Sequence, residues 1–73
     1  MTTRGPHISA ERLHRRIAAP AGMVNTLADS DAEGALIKVL VDPAYWSRKG
    51  EIPREFEGYR VVVQRRHPSY ALA

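Results

Sequence analysis

The chain has 73 residues, no cysteine, and 11 lysine and arginine residues against 8 acidic ones, for a net charge of +3. This length allows a single domain, and the absence of thiols excludes disulfides and cysteine-ligated metal sites. No apolar run approaches the roughly 20 residues that cross a bilayer, and no signal-peptide core follows the N-terminus, so we expect a cytoplasmic protein.

The first predicted element is a helix over residues 10–19. Ser9 is a typical N-cap residue, because its hydroxyl can accept hydrogen bonds from the free amides of the first turn. Ile8, just before this cap, is expected to pack on Leu13. Pro20 disfavours helical geometry in the residue before it, so the helix should end at residue 18 or 19.

Two strands are predicted next, over residues 23–28 and 35–41. The second is the longest apolar run in the chain, and Gly34 and Pro43 bound it. A run of seven residues, apolar except for Lys38, between two such breakers is typical of a buried central strand. The acidic segment 29–34 between the strands has the composition of a turn, so an antiparallel hairpin is expected.

Side chains alternate between the two faces of a strand. Ile37, Val39 and Val41 therefore share one face, which is wholly apolar and should form the core. Leu36 and Leu40 lie on the opposite face. In the last predicted strand, residues 59–65, the same alternation places Val62 on the opposite face of the sheet from Tyr59, Val61 and Val63.

The segment between the central and last strands should contain a loop and a short helix. The loop is predicted over residues 43–50 and carries Tyr45 and Trp46. Residues 52–58 predict one turn of helix or 3₁₀ helix, because Pro53 stands where helices begin and Gly58 where they end.

These elements predict an α+β fold in which one N-terminal helix packs on a three-stranded, mainly antiparallel sheet. The order along the chain is helix, strand, strand, short helix, strand. Residues 8–65 should form the single domain, and residues 1–7 and 66–73 are expected to be flexible tails, because they lack apolar periodicity.

The segments AGMVNTLADSDAEGALIKVLVDP and EIPREFEGYRVVV carry a resemblance to a known kind of domain. They resemble small bacterial α+β domains that occur alone or beside trypsin-like peptidase domains. The resemblance covers residues 20–65, implies the same fold class and supplies no catalytic residues. Separately, residues 69–73 resemble the end of the bacterial trans-translation degradation tag, which implies regulated turnover as a further hypothesis.

No combination of residues indicates catalysis, a cofactor or a metal site. The histidines, His7, His14 and His67, lack the further ligands that a zinc site requires. No serine has a base nearby in the sequence, and no glycine-rich phosphate loop is present. We therefore expect a protein without enzymatic activity.

Two sets of side chains are candidates for binding a protein partner. Leu36, Leu40 and Val62 should share a sheet face that a single helix leaves uncovered, and a core this small often gains stability from oligomerisation. A homodimer through the sheet is therefore expected. Tyr45 and Trp46, beside basic residues, have the composition of a binding hot spot, but we favour Trp46 closing the core, because this core is short of large residues.

The alternative function is binding of nucleic acid. Arg12, Arg15 and Arg16 lie on the predicted helix, Arg65 ends the last predicted strand, and Arg66 follows it. Such clusters can follow a phosphate backbone with salt-sensitive affinity. No helix-turn-helix or aromatic RNA-stacking pattern accompanies them, so the charge alone supports this alternative.

Overall fold

A computed structural model describes residues 5–66 of the chain. The helical elements are α1, Pro6–Ile17, and a 3₁₀ helix, η1, Pro43–Glu51. The strands are β1, Val24–Asp31; β2, Gly34–Val41; β3, Glu55–Phe56; and β4, Tyr59–Arg65. The α+β class is confirmed. Both predicted tails lie largely outside the described residues, as does the segment that resembles a degradation tag.

Helix α1 begins earlier than the sequence predicts, with Pro6 in its first turn and Gly5 as its N-cap. The fixed φ of proline suits this position, where its missing N–H leaves no bond unmade. The prediction of Ser9 as the N-cap is therefore wrong, because Ser9 lies inside the helix and is fully buried. The predicted packing of Ile8 on Leu13 stays a prediction: Leu13 is fully buried, and Ile8 is 53% exposed.

Strands β1 and β2 form the predicted antiparallel hairpin, in register from Val24 opposite Val41 to Asp31 opposite Gly34. The strands extend into the acidic segment, so the turn contains only two residues, 32 and 33. The Asp31 carboxylate accepts a hydrogen bond from the Glu33 N–H over 2.8 Å, which holds this turn closed. The hairpin brings the longest apolar run into the middle of the sheet.

The sheet has four strands rather than three, in the order β1-β2-β4-β3. It is mixed, because β4 pairs parallel to β2 while β3 and β4 are antiparallel. The predicted helix over 52–58 is wrong. Glu57 and Gly58 have φ values of 52° and 87°, and two consecutive positive φ angles form a hairpin turn that returns β3 onto β4.

One face of the sheet, the core face, carries the hydrophobic core. Its centre is Ile37, Val39 and Val41 of β2, and Leu13 of α1 and Tyr45 of η1 pack on it. Both helical elements of residues 5–66 therefore lie on the core face. The opposite surface of the sheet, called here the open face, has no helix over it in this part of the chain.

None of the helices in residues 5–66 has both the length and the apolar character needed to cross a membrane.

Candidate interaction surface

The open face contains the leucine and valine side chains that the sequence placed together. The strand register aligns Leu36 with Arg60, and Lys38 with Val62, and Leu40 lies further along β2 on the same face. Leu36 is only 4% exposed, although it lies outside the main cluster of core residues. Leu40 and Val62 are half-buried. The predicted grouping of Leu36, Leu40 and Val62 is therefore present, but most of its apolar surface is already covered.

Two ion pairs flank Leu36 on this face. Lys38 Nζ lies 3.2 Å from Asp29 Oδ2, and Arg60 Nη2 lies 2.6 Å from Asp31 Oδ1. Both cations extend aliphatic stems along the sheet surface before reaching their carboxylates, and such stems shield apolar neighbours from water. The charges of Lys38 and Arg60 are thus neutralised within one copy of the chain.

These contacts lower the pKa of both carboxyls. The Ser30 N–H and then Lys38 hold the pKa of Asp29 below its usual value of 3.8. Arg60 and then the Glu33 N–H lower the pKa of Asp31 in the same way. In each case hydrogen bonding to the charged carboxylate favours ionisation more than partial desolvation opposes it.

Acid should therefore destabilise the fold. Since the folded pKa values of Asp29 and Asp31 lie below 3.8, the unfolded chain binds more protons in that range, and the free energy of unfolding falls as pH drops from about 5 through the folded pKa values. Thermal unfolding followed by circular dichroism should give a falling Tm over this range. Asp31→Asn should flatten part of the slope, and a Tm that rises on acidification would contradict the prediction.

Leu27 is a further apolar residue of the open face that the sequence analysis missed. It pairs with Lys38 in register and is 38% exposed. Leu27 and Ile8 are the large hydrophobic side chains that residues 5–66 leave exposed. The alternation of β1 carried the signal, since Asn25, Leu27 and Asp29 share one face of the strand.

Strand β1 forms one edge of the sheet, and its backbone bonding pattern follows from the hairpin register. Opposed residues of an antiparallel pair alternate between those that exchange backbone hydrogen bonds and those that do not. The Asp42 N–H donates to the Met23 carbonyl over 2.7 Å, which makes these two a bonded pair. The backbone groups directed away from β2 are therefore those of Val24, Thr26, Ala28 and Ser30.

Both ends of this outer edge are already capped. His14 Nε2 lies 3.1 Å from the Val24 carbonyl oxygen as its donor, and the Ser30 N–H donates to the Asp29 carboxylate over 2.8 Å. In between, the N–H and C=O groups of Thr26 and Ala28 have no hydrogen-bond partner among residues 5–66. A groove of about 450 Å³ separates this edge from α1. The edge thus offers a short segment for another strand.

Tyr45 and Trp46 lie on the side of the sheet opposite to the leucine set. Tyr45 is buried in the core at 7% exposure, and Trp46 is half-buried against the same core. Lys49 Nζ lies 4.4 Å from the centroid of the Trp46 ring. The structure therefore does not combine these aromatic residues with Leu36, Leu40 and Val62 in one surface.

Most of the arginines proposed for nucleic acid are engaged with carboxylates. Arg12 Nε lies 2.6 Å from Glu57, Arg15 Nη2 lies 2.8 Å from Glu11, and Arg66 Nη2 lies 2.7 Å from Asp42. Arg16 and Arg65 have no ion pair with any described residue. Three of the five arginines would therefore have to release a carboxylate before they could contact a phosphate.

Within the described segment, no three His, Cys, Asp or Glu side chains are grouped so that they could hold a metal ion. Comparison with protein-family models, with curated proteins and with solved structures gives no match. The resemblance of residues 20–65 to peptidase-associated α+β domains stays a prediction.

Proposed function

We propose that this chain is a non-enzymatic interaction module that pairs with a second copy of itself along β1. The observation that carries this proposal is the unpaired backbone of Thr26 and Ala28, beside the exposed side chain of Leu27. Unpaired edge strands are templates for adding another strand. The proposed setting is the cytoplasm, since a chain without cysteine needs no oxidising compartment.

An antiparallel pairing of two copies fits this edge. Thr26 of each copy lies opposite Ala28 of the other, so that four backbone hydrogen bonds form between them. Leu27 then meets Leu27 of the second copy at the two-fold axis, in a close non-hydrogen-bonded pair. Asn25 lies opposite Asp29, whose carboxylate can accept from the amide. No like charges face one another, and the capped ends of the edge limit the pairing to this register.

Pairing through the edge is favoured over stacking of two open faces. Leu36 has little surface left to bury, and the ion pairs of Lys38 and Arg60 would have to be desolvated by a stacked copy. Removing the water around two ion pairs costs free energy and opposes association. Edge pairing instead buries Leu27 and leaves both ion pairs in water.

Sedimentation equilibrium of the purified chain should reveal a dimer at micromolar concentration. Leu27→Glu should raise its dissociation constant by more than about tenfold, because two carboxylates then meet at the two-fold axis. Ile8→Glu, which alters the other exposed hydrophobic residue, is the matched control and should leave the dimer intact. Leu40→Glu, one strand further from the edge, should have the smaller effect.

Ala28→Pro tests the backbone directly. The Ala28 N–H is directed away from β2, so proline removes a bond of the dimer without removing one from the hairpin. We expect a folded monomer. A monodisperse monomer of the unmodified chain at high concentration would refute self-association, and a dimer that Leu40→Glu disrupts but Leu27→Glu does not would refute the edge register.

The alternative, binding of nucleic acid through the arginine-rich helix, depends on the cations that have no internal partner. Arg16→Glu combined with Arg65→Glu should then abolish retention on a heparin column, and retention should fall steeply with salt. Retention that survives both substitutions, or that is absent in the unmodified chain, would eliminate this alternative.

A further inference from the structure

A second unpaired edge lies on the far side of the sheet, along β4. The Arg66 N–H donates to the Val41 carbonyl over 2.7 Å, and the Val61 N–H donates in the opposite direction to the Arg54 carbonyl over 2.8 Å. Alternation then directs the backbone groups of Val63 away from β2. Strand β3 covers only Tyr59 and Arg60, so the Val63 N–H and C=O groups have no partner among residues 5–66.

A groove adjoins this edge on the core face, and we name it the β4 groove. Its apolar lining consists of Trp46, Ile52, Val61 and Val63. Its volume of about 260 Å³ lies below the roughly 300–1,000 Å³ of small-molecule sites, so the groove suits one side chain rather than a cofactor. An apolar side chain entering it would be flanked by the Trp46 ring.

Lysine and arginine side chains without a carboxylate partner cluster around this groove. Six of the ten cations in residues 5–66 form ion pairs, which leaves Arg16, Lys49, Arg54 and Arg65. Lys49 and Arg54 line the β4 groove, and Arg65 follows Val63 on the same strand and face. Three of the four cations without partners thus stand at one edge of the sheet, where they complement a negative charge.

We propose that the β4 groove binds an extended peptide that carries an apolar side chain and, next to it, a carboxylate. The peptide adds as a fifth strand beyond Val63, continuing along β4 where β3 ends. Whether it runs parallel or antiparallel, its residue beside Val63 directs its side chain to the core face, into the groove. Main-chain hydrogen bonds then supply affinity, and the groove and its cations supply selectivity.

The carboxylate can come from an acidic side chain or from the C-terminus of the peptide. Both present the same acceptor oxygens to Lys49 and Arg54, and charge-assisted hydrogen bonds of this kind are about twice as strong as neutral ones. This site is separate from the β1 edge and shares no residue with it, so its test is independent of self-association.

Trp46 is the only tryptophan of the chain, so its fluorescence reports on the groove directly. Three synthetic peptides serve as probes: acetyl-Thr-Val-Thr-Leu with a free carboxylate, the same peptide as its amide, and an amide extended by one glutamate. At least one of the two carboxylate peptides should shift the Trp46 emission saturably, and the neutral amide should bind about tenfold more weakly or worse. The difference between the two carboxylate peptides identifies the source of the charge.

Two variants test the residues of the site. Lys49→Gln with Arg54→Gln should weaken binding of the carboxylate peptide about tenfold while leaving the neutral amide unaffected. Arg15→Gln with Arg16→Gln makes the same change of net charge outside the groove and is the matched control. If the two double variants weaken binding of the carboxylate peptide equally, the effect comes from net charge alone and the site is refuted.

A separate measurement tests whether the peptide binds as an added strand. Methylating the peptide amides one at a time should weaken binding only at alternate positions, because alternate N–H groups face β4. No saturable change of Trp46 emission at millimolar peptide would overturn the proposal. Binding of the neutral amide as tightly as both carboxylate peptides, or uniform tolerance of N-methylation, would also overturn it.

Discussion

Ile37→Ala should unfold a large part of the protein at room temperature. Ile37 is fully buried in the central strand, beside Ala28 of β1 and Val61 of β4. Removing its branched side chain costs about 2–5 kcal/mol, because a cavity remains under α1. A core of this size rarely supplies more than about 3–5 kcal/mol in total. A single truncation therefore removes most of the stability available.

Urea denaturation followed by circular dichroism measures this loss. Ile8→Ala removes a similar side chain from an exposed position of α1 and should change the free energy of unfolding by less than about 0.5 kcal/mol. Ile37→Leu keeps the volume and should cost less than about 1.5 kcal/mol. If Ile37→Ala proves as mild as Ile37→Leu, the central strand is not the centre of the core.

The second large effect is expected from Ser9→Ala. The Ser9 hydroxyl, fully buried, donates to Glu57 Oε1 over 2.8 Å, while Arg12 Nε donates to Glu57 Oε2 over 2.6 Å. These bonds join the helix to the β3–β4 turn. Removing a buried hydrogen bond to a charged group costs about 1.5–3 kcal/mol, and the carboxylate loses one of its donors.

A double-mutant cycle isolates this contact. Ser9→Ala and Glu57→Gln should show a coupling energy of about 0.5–3 kcal/mol in chemical denaturation. Arg15→Ala, which removes an exposed ion pair within α1, is the control and should cost less than about 1 kcal/mol. Additive effects of the two substitutions would indicate that the serine hydroxyl contributes nothing through Glu57.

Glu57 occupies a conformation that side chains rarely adopt. Its φ of 52° lies in the left-handed region, where asparagine or glycine usually begins a two-residue hairpin turn. Such backbone strain costs on the order of 1–3 kcal/mol and persists only where other contacts compensate. The bonds to Ser9 and Arg12 provide that compensation. Contacts with helix α1 therefore explain why a glutamate stands at this position of the turn.

The elements that could be predicted from sequence were those defined by local pattern. Strand β2 follows from a seven-residue run, apolar except for Lys38, between Gly34 and Pro43, and the hairpin follows from the acidic turn before it. Alternation places Leu36 and Leu40 on one face, and the pairing register of β2 with β4 adds Val62 to that face. Apart from the position of Val62, these features are decided by residues that are close together in the sequence.

The errors arose where a distant residue decides the outcome. Ser9 has the chemistry of an N-cap, but its partner Glu57 lies 48 positions away. Pro53 and Gly58 fit a short helix as well as a hairpin, and only pairing with β4 selects the hairpin. Leu36 is buried because the Lys38 and Arg60 side chains extend beside it. The hydrophobic periodicity of the sequence does not predict the positions of those side chains.

Leu27, the centre of the proposed interface, was missed for a different reason. The predicted strand over 23–28 contains Leu27, but its place at the edge of the sheet depends on the strand order, which the sequence pattern does not reveal. Of the proposed partner-binding residues, Tyr45 lies in the core instead, because a chain with one tryptophan and one phenylalanine needs its large side chains to fill the interior.

The position of β4 between β2 and β3 has a consequence for the order of events during folding. Each hairpin, β1–β2 and β3–β4, joins residues close in sequence and can close within microseconds. The parallel seam between β2 and β4 pairs residues 24 positions apart, as with Ile37 and Val61, and must wait until η1 has crossed the sheet. We therefore expect the closing of that seam to be the slow step of folding.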